Sequence, residues 1–480
     1  MSRCDFIIDG ARLIDGSGGP SRYTSVAIDR ERIVDVGHCQ QWQADHKIEA
    51  NGKTLAPGFI DSHTHDDLAV FNTPDLPCKI SQGVTTVIAG NCGISLAPLS
   101  TETALPAPFP LLGKDADFRF PSIQAYREQW LRTPAAVNIA MLTGHSSLRM
   151  GHMSDSLESE ADTNAIEAMQ DSLRCALQQG SIGLSTGLDY PPAAASTTHE
   201  IIQVAKVLRE FENSRYVTHM RDEGAEILEA IDETLEIGQA SRVPVIISHH
   251  KCAGPSNYGR SGESLKKIDS ASKTQAVSFD VYPYTASSTS LLYQYVIDSE
   301  SVIVAESVPH PEYNNMLLDR IASDWNCTLE EACDRLYPAS AIYFQMSNID
   351  LEQILKHPAA MIGSDGIASM KMPHPRLWGT FPRVLGHYVR EKKLFDLETA
   401  VHKMTGLTAN RFALHQRGEI KIGNYADLVL FDAESIIDTA SFDNPEQICE
   451  GIDSVWVNGE LSWHQSSSTT ARNGQFLSRA

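Results

Sequence analysis

Residues 54–65 read TLAPGFIDSHTH, a short apolar run that ends in two histidines spaced two residues apart. Seven further apolar runs follow and end in polar or glycine residues: TTVIAGNCG (85–93), NIAMLTGH (138–145), IGLSTGL (182–188), YVTHMR (216–221), VPVIISHHK (243–251), VSFDVYPY (277–284) and AAMIGSDG (359–366). Sequences with a helical period, such as AIEAMQDSLRCALQQG (165–180), separate the runs. Eight successive βα units predict an α/β fold built on a closed (β/α)8 TIM-like barrel, with an open doubly wound sheet as the alternative.

The two ends of the chain have a different sequence pattern from the middle. In residues 1–54, short apolar runs alternate with Asp-Gly turn signals. The same pattern of short strands returns in GEIKIGNYADLVLFD (418–432) and DSVWVNGELSW (453–463). Strands without partners cannot bury their faces. We therefore expect residues 1–54 and 416–480 to pair into one small β-sandwich domain, with the barrel spanning residues 55–415.

A segment at about 293–340 interrupts the barrel pattern between the seventh and eighth runs. It is rich in helix formers and acidic residues, and loops of this length usually carry structure of their own. We predict a helical insertion after strand seven that lies over the barrel mouth.

The composition restricts the classes of protein that fit. Hydrophobic residues make up 42% of the chain and charged residues 21%, which excludes a disordered or fibrous protein. The 61 acidic against 39 basic residues give a formal charge of -22, so nucleic acid is not an expected partner. No run reaches the ~18 apolar residues of a membrane span, and the first residues lack a signal-peptide core, so we expect a soluble cytoplasmic protein. Nine scattered cysteines without a CxxC pair predict neither a disulfide framework nor a zinc ribbon.

Potential metal ligands end most of the eight runs, and barrel active sites lie at these carboxyl ends of the strands. The side chains at these ends are His63, His65, Cys92, His145, His219, His249, His250, Lys251 and Asp365. Side chains alternate along a strand, so His63 and His65 should point into the barrel together, whereas His250 should face away from it. Cys92, His219 and His249 form a Cys/His/His set that leaves a fourth tetrahedral position open for water. Asp365 can bind a metal, take a proton from the attacking water and deliver it to the leaving group.

With these residues in place, the chain resembles the amidohydrolase superfamily, and within it the N-acyl-D-amino-acid deacylases, or D-aminoacylases. A cysteine in GNCG replaces the carboxylated lysine that many relatives carry after strand four, and SIGLSTGLDYPP (181–192) contains no lysine. Further segments similar to this branch are HMRDE (219–223), SHHKCAG (248–254), DVYPY (280–284), AIYFQM (341–346) and HPRLWGTFPRVLG (374–386).

The resemblance implies a reaction and a metal. Zinc would be held tightly by Cys92, His219 and His249, with a weaker second site at His63, His65 and Asp365. Asp365 would be the catalytic residue, accepting a proton from the attacking water and then protonating the departing amine. The substrate would be a small N-acyl-D-amino acid, cleaved to a carboxylic acid and a free D-amino acid.

The resemblance also implies a substrate pocket. Recognition of the α-carboxylate is expected from Lys251, Tyr282, Ser288 and Arg376. A mainly apolar wall for the substrate side chain is expected from Tyr190, Leu292, Tyr343 and Met346. The segment STSLLYQYVID (288–298) supplies no cation for an acidic substrate, so we expect a neutral side chain.

Four other functions stay open. Within the same branch, the substrate could be N-acyl-D-glutamate or N-acyl-D-aspartate. Within the superfamily, hydrolysis of a cyclic amide by a dihydropyrimidinase-like enzyme and deamination are alternatives. A barrel that has lost its chemistry and acts as a scaffold is the non-enzymatic alternative, and the presence of all the expected ligands disfavours it.

Overall fold

The computed structural model describes residues 2–479, and a parallel β-barrel forms their centre. Its eight strands are Phe59–Asp61, Val84–Ala89, Asn138–Met141, Gly183–Gly187, Arg215–His219, Val245–Ile247, Val277–Val281 and Ala360–Ile362. The eighth strand meets the first, where the Ser62 amide donates to the Ile362 carbonyl (3.3 Å) and the Asp365 amide to the His63 carbonyl (2.8 Å). These bonds close the barrel, which confirms the predicted fold and excludes an open sheet.

Helices surround the barrel because the strands are buried on both faces. The main ones are Ile123–Arg132, His145–Met153, Thr163–Gln178, Thr198–Ala205, Ile227–Ser241, Ser261–Ala271, Asn348–Lys356, Arg376–Arg383, Leu397–Met404 and Gly406–Arg411. The helix Thr163–Gln178 illustrates why these segments are helical. Asp162 caps its first turn by accepting from the Ala165 amide (2.8 Å), and Met169, Leu173 and Leu177 are buried on one face.

Both termini build a second, nine-stranded sheet, as predicted. Its strands are Ser2–Leu13, Arg22–Asp29, Arg32–Val36, Trp42–Glu49, Thr54–Pro57, Leu428–Phe431, Ile452–Val457, Glu460–His464 and Ser467–Ser468. Thr54–Pro57 joins the two halves, since it pairs with Ser2–Leu13 on one side and with Leu428–Phe431 on the other.

The strands near the predicted domain limits show where the terminal sheet and the barrel meet. The run TLAPGFID is divided between the domains, with residues 54–57 in the terminal sheet and residues 59–61 in the barrel. Gly58 stands at the division, and a Cβ atom there would lie 2.2 Å from Thr85 Cγ2, so the close approach of the two sheets requires glycine. Near the C-terminus, strand Phe476–Leu477 is not part of the terminal sheet; it pairs with barrel strand Asn138–Met141.

The insertion contains strands as well as the predicted helices. Its helices are Tyr293–Val296, Leu318–Asp324 and Leu329–Leu336. Strands Ala286–Ser290, Ser301–Ser307, Met316–Leu317 and Ala339–Phe344 form an antiparallel sheet beside them. The strands escaped prediction because serine-rich and short segments carry a weak period-two pattern. No helix within residues 2–479 is long and apolar enough to cross a membrane.

Candidate functional site

The six predicted metal ligands meet at the carboxyl end of the barrel. They form two overlapping groups that share Cys92: His63, His65, Cys92 and Asp365 in one, and Cys92, His219 and His249 in the other. Within each group the potential ligand atoms all lie within 4.8 Å of one another. The Cys92 Sγ atom lies 3.3 Å from His63 Nε2 and 3.4 Å from His249 Nε2. Five different barrel strands thus deliver their terminal side chains to one point.

Three of these residues have a backbone conformation that L-amino acids rarely adopt. The φ angles are +52° at Cys92, +34° at His249 and +50° at Asp365. Each such conformation costs on the order of 1–3 kcal/mol and persists only where the surrounding structure imposes it. The strain turns the three side chains toward the same point at the ends of strands two, six and eight.

The Cys92 thiol is prepared to ionise. Its burial opposes ionisation, but the neighbouring His63 and His249 outweigh burial and hold the pKa of the thiol well below its ordinary value. In return, the pKa of His63 is well above its ordinary value: burial opposes the rise, and Cys92 and Asp280 outweigh it. A buried thiolate among imidazoles is a donor set suited to zinc.

Asp365 lies between the histidine pair and an arginine. Its carboxylate is 3.2 Å from His65 Nε2, 3.6 Å from His63 Nε2 and 2.9 Å from an Arg376 guanidinium nitrogen. Burial alone would raise the pKa of Asp365, but Arg376 and His65 reverse the direction and hold it well below the ordinary value. The carboxylate is therefore ionised at neutral pH.

Glu223, which was not predicted from the sequence, connects two of the predicted residues. Its carboxylate pairs with His249 Nδ1 at 2.9 Å and accepts from Lys251 Nζ at 2.6 Å. A carboxylate on the second nitrogen of a histidine fixes the tautomer that leaves Nε2 free to bind a metal. The signal was present in HMRDE, since Glu223 follows His219 by four residues.

Asp280, the fourth residue of the run VSFDVYPY, has a similar position beside His63 and was also missed. Its carboxylate accepts from the His249 amide at 2.8 Å and lies 3.3 Å from His63 Nδ1. It therefore connects the first and sixth strands beneath the candidate ligands.

A fully buried lysine supports the loop that carries Asp365. Lys79 Nζ donates to Asp61 (2.8 Å) and Ser364 (2.8 Å) and lies 3.3 Å from Asp66. The Ser364 amide donates to the same Asp61 carboxylate at 2.7 Å. Nothing in the sequence pattern marks Lys79, because its partners come from distant parts of the chain.

A cavity opens beside the ligand cluster and contains several of its side chains in its wall. Of the predicted substrate residues, Tyr190, Lys251, Tyr282 and Ser288 line it. Arg376 lies behind the wall, with its guanidinium 4.6 Å from the centre of the Tyr282 ring.

The other three predicted pocket residues do not line this cavity. The Tyr343 hydroxyl donates to the Ser290 carbonyl and accepts from the Leu292 amide, so both residues belong to the insertion. Met346 lies on another side of Tyr282, in an adjacent small cavity. Their sequence spacing could not reveal this, because the insertion folds its own core around Tyr343.

Two further histidines lie apart from the cluster. His145 Nε2 pairs with Glu200 at 3.0 Å in the core between helices. His250 faces away from the cavity, as predicted, and its Nε2 atom bonds to Ser264 at 2.9 Å.

Comparisons with known proteins agree with this geometry. The amidohydrolase family profile matches residues 47–313 and 324–462. The D-aminoacylase of Alcaligenes xylosoxydans xylosoxydans is 46% identical over 475 residues, covering 99% of this chain and 98% of its own. A D-aminoacylase structure superposes with a TM-score of 0.97 at 46% identity and covers 99% of this chain and 100% of its own. That structure addresses the functional role of a binuclear metal centre, in which one metal activates the enzyme and a second attenuates it. The structure of the N-acyl-D-glutamate deacylase of Bordetella bronchiseptica contains zinc and a phosphonate mimic of the tetrahedral intermediate. It superposes with a TM-score of 0.96 at 39% identity and covers 99% of this chain and 100% of its own.

Proposed function

The chain belongs to the amidohydrolase family, and on this premise we propose that it hydrolyses N-acyl-D-amino acids to a carboxylic acid and a free D-amino acid. The observation that carries the proposal is the pair of ligand groups that share the Cys92 thiol at the carboxyl end of the barrel. Its relatives with the same overall fold include a D-aminoacylase and an N-acyl-D-glutamate deacylase.

Zinc fits the donors that the site offers. We assign a tight site to Cys92, His219 and His249, and a weaker one to His63, His65 and Asp365. The fit rests on a thiol with a depressed pKa, on imidazoles whose Nε2 atoms converge on it, and on strained backbone that aims these groups inward. When bound, zinc acts as a Lewis acid that polarises an amide carbonyl and lowers the pKa of a water molecule toward ~7.

Asp365 moves the proton in this scheme. Its carboxylate accepts a proton from the attacking water, because Arg376 and His65 keep it ionised before the reaction. The protonated carboxyl then gives that proton to the amide nitrogen, which leaves as the amine of the D-amino acid. General acid–base work of this kind contributes ~10²–10⁴ in rate.

The α-carboxylate of the substrate is held by Lys251, Tyr282 and Ser288, which line the cavity next to the ligand cluster. Glu223 keeps the Lys251 ammonium in place at 2.6 Å, so the cation does not need to be ordered when the substrate arrives. Arg376 supports the same wall through its stacking on Tyr282.

The substrate side chain is neutral in this proposal. The cavity wall beyond Lys251 contains Tyr190, Thr289 and Tyr295, and the residues that line it include no second lysine and no arginine. An N-acyl-D-glutamate or N-acyl-D-aspartate would therefore bring a charge that this wall does not balance.

The test is an assay of three reactions with zinc-loaded protein. We expect release of acetate and D-methionine from N-acetyl-D-methionine, no ring opening of hydantoin or dihydrouracil, and no release of ammonia from adenine. Ring opening without cleavage of the linear amide would instead support a cyclic amide hydrolase, and ammonia release would support a deaminase.

A further inference from the structure

Asp189 stands directly behind the wall of the substrate cavity. It follows barrel strand Gly183–Gly187 and precedes Tyr190, which lines the cavity. Its carboxylate accepts a hydrogen bond from the Tyr295 hydroxyl at 2.5 Å, and Tyr295 lines the cavity as well. One hydrogen bond therefore joins the end of the fourth strand to the insertion across the mouth of the site.

Asp189 differs from the other carboxylates around the cavity in having no paired lysine or arginine among the described residues. Glu223 is paired with Lys251 at 2.6 Å, and Asp365 with Arg376 at 2.9 Å. Within residues 2–479, Asp189 forms no ion pair with a lysine, arginine or histidine, and its hydrogen bonds come from a tyrosine and from the neutral amide of Gln294 at 3.5 Å. Burial raises the pKa of the Asp189 carboxyl, whereas His219 and the hydrogen bond from Tyr295 oppose this rise, and no lysine or arginine within the described chain pairs with it.

In the binding mode considered, the substrate side chain lies against the part of the wall that contains Tyr190 and Tyr295. Lys251, Tyr282 and Ser288 are engaged by the α-carboxylate in the proposed function, and the scissile amide lies at the ligand cluster. The remaining polar wall consists of Tyr295, of Ser287 and Gln345, and of the Tyr190 hydroxyl, which is hydrogen-bonded to Thr289 at 3.1 Å. Neither tyrosine supplies a positive charge that would shield a substrate from Asp189.

We propose that Asp189, held in place by Tyr295, is a specificity-determining residue that excludes N-acyl-D-amino acids with anionic side chains and favours neutral and cationic ones. This inference rests on the proposed function and adds the substrate class to it. Like charges in a poorly solvated cavity repel strongly, and a factor of ~10–50 between a carboxylate and its amide is expected at the separations across such a wall.

The experiment uses substrates that differ in charge and hardly in shape. The kcat/KM values of the zinc-loaded protein are measured for N-acetyl-D-glutamine and N-acetyl-D-glutamate, and for N-acetyl-D-norleucine and N-acetyl-D-lysine. The wild type should prefer glutamine over glutamate by ~10-fold or more, and lysine should do at least as well as norleucine. Asp189→Asn keeps an acceptor for Tyr295 and removes the charge, so both ratios should move toward one.

Two further variants separate the local charge from other effects. Asp298→Asn removes one exposed carboxylate from the same insertion, outside the cavity lining, and should leave both ratios at their wild-type values. Asp189→Ser should act like Asp189→Asn if charge is the cause, even though its size differs.

The outcomes distinguish a failure of the Asp189 role from a failure of the proposed function. Wild-type preference for glutamate over glutamine, or ratios that stay the same in both Asp189 variants, would overturn the role of Asp189 while leaving deacylation intact. Failure of the wild type to cleave any of the four substrates and N-acetyl-D-methionine would overturn the proposed function, and this inference with it.

Discussion

The Arg376 guanidinium and the Asp365 carboxylate form a buried ion pair, with 2.9 Å between their closest atoms. Arg376 is 1% exposed and Asp365 is 8% exposed, so solvent screens the pair weakly. Arg376 also donates to the Ser288 carbonyl at 3.0 Å, whereas its Nε atom has no hydrogen-bond partner. One arginine thus contacts both the proposed catalytic carboxylate and the backbone of Ser288, which lines the substrate cavity.

Replacing this arginine by lysine should impair both chemistry and binding. A lysine ammonium is a point charge and cannot reproduce the planar guanidinium that reaches Asp365 and Ser288 together. We expect Arg376→Lys to lower kcat/KM for N-acetyl-D-methionine by ~10-fold or more, with a lower kcat and a higher KM. Steady-state kinetics check this, and unchanged values of both constants would remove Arg376 from the site.

The thiol of Cys92 should decide how much zinc the protein retains. Cys92→Ala removes the atom that both ligand groups share, so bound zinc should fall at least ~10-fold at a free zinc concentration that saturates the wild type. Equilibrium dialysis followed by metal analysis measures this without reference to activity. Cys175→Ala, at an exposed cysteine, is the matched control and should bind zinc like the wild type. Equal zinc content in the two variants would contradict the assignment.

Glu223 should strengthen metal binding without touching the metal. Glu223→Gln keeps the size of the side chain and removes the charge that faces His249 and Lys251. Loss of such a partner typically weakens metal affinity by ~10–100-fold, which competition with a chelator would measure. Glu226→Gln, at an exposed position three residues later, serves as the control. If zinc affinity is the same in both variants, Glu223 does not orient His249.

Acid should selectively remove the stability that Glu200 contributes. Glu200 is buried against His145 and Arg149; burial opposes its ionisation, but these partners outweigh it and lower its pKa from 4.5 to about 2. A pKa that is lower in the folded state stabilises the fold above pH 4.5, and this contribution disappears as the pH falls through about 2. The difference corresponds to about 3 kcal/mol at neutral pH.

The measurement is the melting temperature of wild-type and Glu200→Gln protein between pH 7 and 3. The difference in melting temperature between the two proteins should be largest at neutral pH. It should become smaller below pH 4.5, where the Glu200 carboxyl of the unfolded chain takes up a proton. Glu229→Gln, at an exposed site, should show little gap at any pH. A gap for Glu200→Gln that stays constant down to pH 3 would show that its ionisation is not linked to folding.

The barrel and the convergence of the six candidate ligands could be predicted from the sequence, because both depend on local patterns. Each ligand ends an apolar run, and parallel strands bring their carboxyl ends to the same side of a barrel. His63 and His219 could therefore be placed near each other although 156 residues separate them in the chain. The pairing of the two termini followed from the same kind of pattern, the period-two alternation of half-buried strands.

Contacts that depend on tertiary geometry could not be predicted. Lys79 and Glu223 look like ordinary charged residues in the sequence, and only the folded chain brings them to Ser364 and His249. Tyr343 was expected at the substrate and lies in the core of the insertion, because the strand that carries it belongs to a sheet the sequence did not reveal. The hydrogen bond between Asp189 and Tyr295 could not be predicted for the same reason, since Tyr295 comes from that insertion.

Paired rates on N-acetyl-D- and N-acetyl-L-methionine, for zinc-loaded wild type and for Asp365→Asn, test the central claim most directly. We expect hydrolysis of the D substrate only, and a loss of ~10²–10⁴ in kcat for Asp365→Asn with zinc still bound at the Cys92 site. Equal rates on both enantiomers, or undiminished turnover by Asp365→Asn, would contradict the account.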